Sequence, residues 1–517
     1  MGRFGTTYYA ARVSAILPQA LFHQLFGTES GFLLLRILLA SVAGYAFFRT
    51  VESWFSRILA YFLVPFLVVN PVLTRALAWD YVDGFAVTYM FASVGCFVAG
   101  SRWPSRMVSG IFAAMATNCY LGSFAYLGAF FVGCGLVDWW QKGRIPFKTK
   151  YLPWFAGFLG FYVMTSLILW ILFPAWGPAF EFKTIKVGFD LARGGSKVWW
   201  VPVWNYLEKN QFYILYPFAF CLASCWIWWS KSRNKVNQGR SALPAYAVIP
   251  IYLCFVCSGI LIQHLILRMP IFIFYAISYS LPAVMLGVAY LIHQTKLDES
   301  FSTKKIIFYQ GAGCLVLAEK DFWISGLISN SSFWTATILI CAIYVLFCMK
   351  QKMIGATLAL SFFTILPFNN FENPNTLGHL ITPAIGKKNR NRIIEISYEL
   401  NNQIKSAVSN KKNLKIWFYE NNSPYVVAIA SWFFYGYSAL FLDGVIFSAQ
   451  NSEKLHKSLE KVDLLVLLST TPEALDSGEQ KVISLEPEKW KKIGRKEFTI
   501  KNNSKISYTL LKKQNTR

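Results

Sequence analysis

Ten stretches of this chain are apolar for about the length of a membrane-crossing helix, near residues 31–51, 57–74, 83–100, 151–173, 211–229, 245–267, 271–293, 306–322, 332–349 and 353–368. Hydrocarbon offers no water to satisfy backbone N–H and C=O groups, so runs of that length must form helices. The stretch 107–140 is too long for one helix, and Asn118 and Gly122 lie midway, which predicts a short helix pair turning there. About twelve membrane segments result. With 55% hydrophobic and 17% aromatic residues, the chain reads as an α-helical polytopic membrane protein rather than a soluble one.

The formal charge of +24 would suit nucleic acid, but the cations sit mostly in short loops between apolar runs. That is the positive-inside pattern, so nucleic acid is excluded as a partner. One set of alternating loops holds Arg49 and Arg57; Arg102 and Arg106; Lys142, Arg144, Lys148 and Lys150; Lys231, Lys235 and Arg240; Lys296, Lys304 and Lys305; and Lys350 and Lys352. This set is read as cytoplasmic. The N-terminus, the edge at Asp80 and Asp83, the loop 174–210 and everything after 368 are then expected outside. No cleavable signal peptide is evident, so an outward N-terminus predicts an earlier helix upstream of this sequence.

Two domains are expected: a transmembrane domain over 1–368 and an extracytoplasmic soluble domain over 369–517. In the second, KIWFYE and VDLLVLLST read as buried strands, KEFTIKNNSKISYTLLKK as a hairpin and SEKLHKSLEKV as a helix, giving a small α/β or α+β domain. The segment YVVAIASWFFYGYSALFLDGVIF is long enough to span, but Gly436 and Asp443 favour a buried or interfacial helix.

Asp80 and Asp83 are the only acids between Glu52 and Asp138, and apolar segments flank them. A carboxylate beside hydrocarbon is costly and marks a site by default. A helix starting near Trp79 would put both on one face, able to bind a metal ion, a sugar or a cationic partner. A plain N-cap would use one of them. The ten cysteines run from Cys96 to Cys348. The pairs Cys221/Cys225 and Cys254/Cys257 have metal-like spacing, but with no evident completing cluster they read as small residues at helix contacts.

The order YYAARVSAILPQALFHQLFG, an Arg36-bearing helix, NPVLTRALAWDYVDGFAVTYMFA and later HLILRMPIFIFYAISYSLPAVMLG resembles the polytopic GT-C glycosyltransferases. The likeness is to bacterial relatives of the protein O-mannosyltransferases and lipid A aminoarabinose transferases (family 39-related), and it covers roughly residues 5–300. It implies a GT-C-like membrane fold, a polyprenyl-phosphate-linked sugar donor and transfer on the outer, periplasmic side to a glycan, lipid or protein acceptor. Location in a bacterial inner membrane is expected. In that family the catalytic base lies in the first outer loop, which the resemblance places upstream of Met1.

Such a donor needs a carboxylate, cations for the phosphate and an apolar groove. Asp83 aligns with the acid that opens the third family helix, beside the donor's head group or a metal, and Asp80 is the alternative. Arg268 is read at an outer turn, either as a phosphate ligand or as a snorkelling residue. Arg75, about one helical turn before Asp80, is a further donor-binding candidate unless it simply pairs with that acid. The loop FEFKTIKVGFDLARGGSKVWWVPVW supplies Lys183, Lys186 and Arg193, with Glu181 as a further acid, unless it simply lies on anionic lipid. A divalent metal is the one cofactor considered, with Asp83 and His379 as weak ligands; His264 reads as structural. The rival class is a transporter or lipid-carrier flippase using Asp80 and Asp83 as a coupling pair. A third reading is a non-catalytic scaffold with an outward interaction domain.

Overall fold

A computed structural model describes residues 12–174 apart from 69 and 79–81, then 177, 202–204, 212–235, 244–266, 268 and 277–294. Towards the C-terminus it describes 396, 399–400, 402–403, 418–420, 447–448, 464–469, 472–485, 490–499 and 505–514. The chain separates into two compact units, Met1–Asn370 and Phe371–Arg517.

The first unit is helical. Its helices are α1 (Val13–Phe26), α2 (Thr28–Trp54), α3 (Arg57–Val68), α4 (Pro71–Ala78), α5 (Asp83–Ala99), α6 (Trp103–Cys119), α7 (Ser123–Lys142), α8 (Leu152–Leu172), α9 (Tyr216–Lys235), α10 (Val248–Leu261) and α11 (Leu281–Gln294). Among the described residues four helical stretches are long and apolar enough to cross a membrane: Ser30–Trp54, Ser123–Lys142, Phe147–Leu172 and Ala245–Ile266. The expected run at 57–74 breaks in two, because Pro71 cannot donate within a continuing helix and Asn70 accepts the Val72 N–H (2.9 Å), starting α4 afresh. The turn expected within 107–140 falls at Tyr120–Gly122, between α6 and α7. The expected segments at 306–322, 332–349 and 353–368 lie outside the described residues.

The core of this unit is a continuous apolar cluster built from α2, α3, α5, α6, α7, α10 and α11. Backbone approach is closest where glycine allows it. A Cβ on Gly84 would meet the Ala76 carbonyl oxygen at 2.7 Å and Leu77 Cα at 2.9 Å, so α4 presses on the start of α5. Gly110 of α6 and Gly157 of α8 each face backbone of the other helix too closely for any side chain. Small residues at such crossings are how helices pack where no hydrophobic drive separates them from lipid.

The cations of the sequence pattern gather at helix ends. Asp138, near the end of α7, binds Lys150 (2.5 Å), Lys142 (3.7 Å) and the Tyr151 hydroxyl (2.9 Å). The Arg106 guanidinium donates to the Phe97 carbonyl and lies over the Phe97 ring at 4.1 Å. Glu52 takes Arg49 (3.2 Å) and Arg57 (3.5 Å) at the turn between α2 and α3. Helix α5 is 17 residues long, about 25 Å, so Asp83 stands at the end remote from these basic turns.

The second unit contains strands β1 (Phe418–Glu420), β2 (Phe447–Ser448), β3 (Leu464–Ser469), β4 (Trp490–Thr499) and β5 (Lys505–Lys513), with helix α12 (Pro472–Leu485) between β3 and β4. They form one mixed sheet in the order β2-β1-β3-β5-β4. Strand β3 pairs parallel to β1 and antiparallel to β5, with Val466 opposite Leu510, and every residue of β3 is buried. Strands β4 and β5 form the hairpin expected at KEFTIKNNSKISYTLLKK, with Glu497 opposite Ser507. Lys492 binds Glu479 (2.8 Å) and Arg495 binds Asp476, tying the edge strand to α12. The helix expected at SEKLHKSLEKV lies outside the described residues, as does nearly all of the apolar segment ending at Phe447.

Candidate functional site

Asp83 is the first residue of α5 and is 1% exposed. The capping position itself belongs to Val82, so Asp83 is not placed there as a simple N-cap. Its Oδ1 accepts a hydrogen bond from the Tyr279 hydroxyl, and Tyr279 sits in the short 3-10 turn Ser278–Ser280 that leads into α11. The Tyr279 ring is in turn stacked on Tyr120, with centroids 4.4 Å apart and planes 6° from parallel, and Tyr126 lies 6.3 Å away. Residues from three separate helical regions therefore fix one carboxylate. The other oxygen, Oδ2, is buried and has no hydrogen-bond partner among the described residues. A buried polar atom left that way costs free energy, on the order of 1–3 kcal/mol, unless a ligand or water meets it.

Two guanidinium groups lie in the same region. Arg12, 5% exposed, is close enough to Asp83 to interact with it electrostatically. Arg36 of α2, 6% exposed, stacks over Phe32 (4.5 Å) and over Phe85 (5.1 Å), two residues beyond Asp83. Arg12 is positioned by the start of α1, which is pinned from several sides. The Ser14 N–H and hydroxyl both donate to Asn118 Oδ1 (3.0 and 2.6 Å), and the Tyr89 hydroxyl donates to the Ser14 carbonyl (2.9 Å). The arrangement offers a carboxylate with one open oxygen, phenol rings and two rigid cationic forks. Such a set can hold a sugar hydroxyl on the acid and phosphate oxygens on the guanidiniums.

The other sequence candidates fare differently. Arg268 is exposed and adopts φ 50°, a left-handed conformation costly for a residue with a Cβ, just past the π-helical turn Ile262–Ile266 that extends α10. His264 is buried within that turn. Arg75 lies on α4, one element before Asp83. Asp80, Glu181, Lys183, Lys186, Arg193 and His379 all lie outside the described residues.

Tyr279, Tyr120 and Arg12 were not among the expected site residues, and Arg36 entered only as a landmark in the order of features. The signal for Arg36 was available: it is the one charge inside the apolar run 31–51 before Arg49, and the logic applied to Asp83 covers it equally. Tyr279 lies within the aromatic stretch FIFYAISYS, but nothing in a single sequence selects it from its neighbours.

As for metals, Asp83 belongs to no group of converging acid, His or Cys ligands among the described residues. The one such group there is Cys221, Cys225 and Cys254, whose sulfurs lie within 4.8 Å of one another. Cys254, from one of the cysteine pairs read separately in the sequence, thus meets both members of the other.

No protein-family model matches the chain, and no curated protein is detectably similar to it. Two solved structures are similar to it: ArnT from Cupriavidus metallidurans bound to undecaprenyl phosphate, with TM-score 0.49, and the same protein in the apo state, with TM-score 0.43. Each is 11% identical and covers 96% of this chain and 87% of the ArnT chain. Neither superposition is close enough to carry a functional argument.

Proposed function

We propose that this chain is a GT-C-type membrane glycosyltransferase that takes a sugar from a polyprenyl-phosphate carrier, with the region of Asp83 holding the donor's head group. The observation that carries the reading is Asp83 itself: a buried carboxylate, gripped by Tyr279 on one oxygen and open on the other, beside Arg12. In the reaction an acceptor hydroxyl or amine attacks the anomeric carbon, the bond from that carbon to the phosphate oxygen breaks, and the acceptor proton passes to a base. The polyprenyl phosphate that leaves gains charge, which buried guanidiniums offset far better than water-exposed ones. Asp83 orients the sugar through its open oxygen, and Arg12 and Arg36 face the phosphate. Arg268, at the outer turn, is a further phosphate contact in this proposal, and the unit after 370 lies outside the membrane.

The order of sequence features supports the same reading, and the ArnT likeness points the same way without adding weight. Membranes containing the full-length protein should transfer labelled sugar from a polyprenyl-phosphate donor to a recoverable acceptor, and Asp83→Asn should reduce that transfer more than it reduces the amount of protein. An ion-coupled transporter would instead show Asp83-dependent solute or proton flux with no labelled acceptor at any level of expression.

A further inference from the structure

Cys221 and Cys225 stand four residues apart on α9, so their side chains share one face of the helix. Helix α10 packs against that face and brings Cys254 to it. Its sulfur lies 3.7 Å from that of Cys221 and 3.3 Å from that of Cys225. All three cysteines are free thiols, two of them half-buried and Cys254 exposed, so none is sealed inside the helical core. A metal bound in a plane by three sulfurs at roughly 2.3 Å each requires the sulfurs to stand about 4 Å apart. The two separations to Cys254 fall 0.3 and 0.7 Å short of that, and all three sulfurs lie within 4.8 Å of one another.

We infer that Cys221, Cys225 and Cys254 form a binding site for one soft, thiophilic metal ion, and that the ion is Cu(I). The donor set decides the metal. Three sulfurs with no oxygen or nitrogen ligand suit a soft monovalent ion that accepts low coordination. Zinc in a structural site asks for four ligands in a tetrahedron. Cys257, one turn further along α10, interacts with Cys221 but stands outside the group of three converging sulfurs. Each thiol that binds as thiolate gives its proton to solvent; copper stays Cu(I) and no sulfur is oxidised. The bound ion would join α9 to α10, the helix that runs on into the turn before Arg268.

The test uses the reduced full-length protein in detergent, without oxygen, with Cu(I) supplied as its bicinchoninate complex. The chain should withdraw one Cu(I) from the chelator and show near-ultraviolet sulfur-to-copper absorption. Cys225→Ser and Cys254→Ser should each weaken binding by roughly 10–100-fold or more. Cys254→Met, which keeps a soft sulfur, should recover part of it, and Cys96→Ser and Cys134→Ser should change nothing. Elution volume and metal-free melting confirm that each variant is folded. Copper uptake indifferent to Cys225 and Cys254 would overturn the proposal. So would Zn(II) displacing Cu(I) in a manner that depends on Cys257, or a Cys225–Cys254 disulfide that re-forms whenever reductant is removed and copper does not prevent.

Discussion

Among the described residues Asp83 is hydrogen-bonded by a side chain at one oxygen only, and that asymmetry makes its effects separable. Tyr279→Phe removes the donor to Oδ1 and leaves both carboxylate oxygens to find partners, which should cost about 1–3 kcal/mol of stability. Melting of the purified protein should show the loss. Asp83→Asn keeps the volume and can still accept from Tyr279, so it should melt close to the wild type while losing function. A variant that unfolds as readily as Tyr279→Phe would mark Asp83 as structural instead. Arg268→Ala should weaken binding of a polyprenyl-phosphate sugar by about 1.5–3 kcal/mol, the worth of a charge-assisted contact, and Lys at that position should restore only part because it lacks the planar fork. Unchanged donor affinity in both variants would assign Arg268 to anchoring at the membrane surface. At this scale the sequence exposed the costly charges and hid their neighbours. An isolated acid between apolar runs is visible without a structure, whereas the phenol that binds it lies 196 positions away and looks like any other aromatic.

At the scale of elements, two contacts place the site and both can be loosened. Asn118→Ala strips the acceptor from the Ser14 N–H, leaving a buried donor unmet, while the Ser14 hydroxyl keeps only the Met115 carbonyl and the Cys119 thiol. Amide exchange across Val13–Phe26 should accelerate in that variant while exchange in α8 does not, and equal protection of α1 would refute the anchor. Gly84→Val sets a branched side chain against the backbone of α4 and should lower both melting temperature and donor binding, with Gly128→Val, at a glycine with open space around it, as the harmless control. In the second unit Leu467→Ala opens a cavity in the fully buried strand β3 and should cost about 2–5 kcal/mol. Faster proteolysis after residue 370, with the helical unit still intact, is the expected readout. The hairpin β4–β5 was legible because its strands flank the turn-favouring sequence Asn-Asn-Ser, and the turn between α6 and α7 because Gly122 interrupts an over-long run. Helix α12 was not: TPEALDSGEQKVISL carries few apolar residues, so it shows only a thin stripe to the sheet and resembles a polar loop. Nor was the meeting of three cysteines from two helices, because spacing along one helix says nothing of which helix faces it.

At the scale of the whole molecule, sidedness follows from charge. Lys and Arg concentrate in the stretches 141–150 and 231–244, so those stretches should be cytoplasmic and the unit after 370 external. Single cysteines placed at 143 and 480 in a cysteine-free background should label with an impermeant outside reagent at 480 and not at 143; the reverse pattern would invert the orientation. The central claim is that the acid at the head of α5 meets the sugar of a lipid-linked donor while the guanidiniums meet its phosphate. Purified protein in lipid nanodiscs should bind both polyprenyl phosphate and its sugar-bearing form. Asp83→Asn should weaken the sugar-bearing form by about tenfold, the equivalent of 1.4 kcal/mol, and leave sugar-free polyprenyl phosphate unchanged. Equal affinities for the two lipids in the wild type, or an equal loss for both in Asp83→Asn, would contradict it.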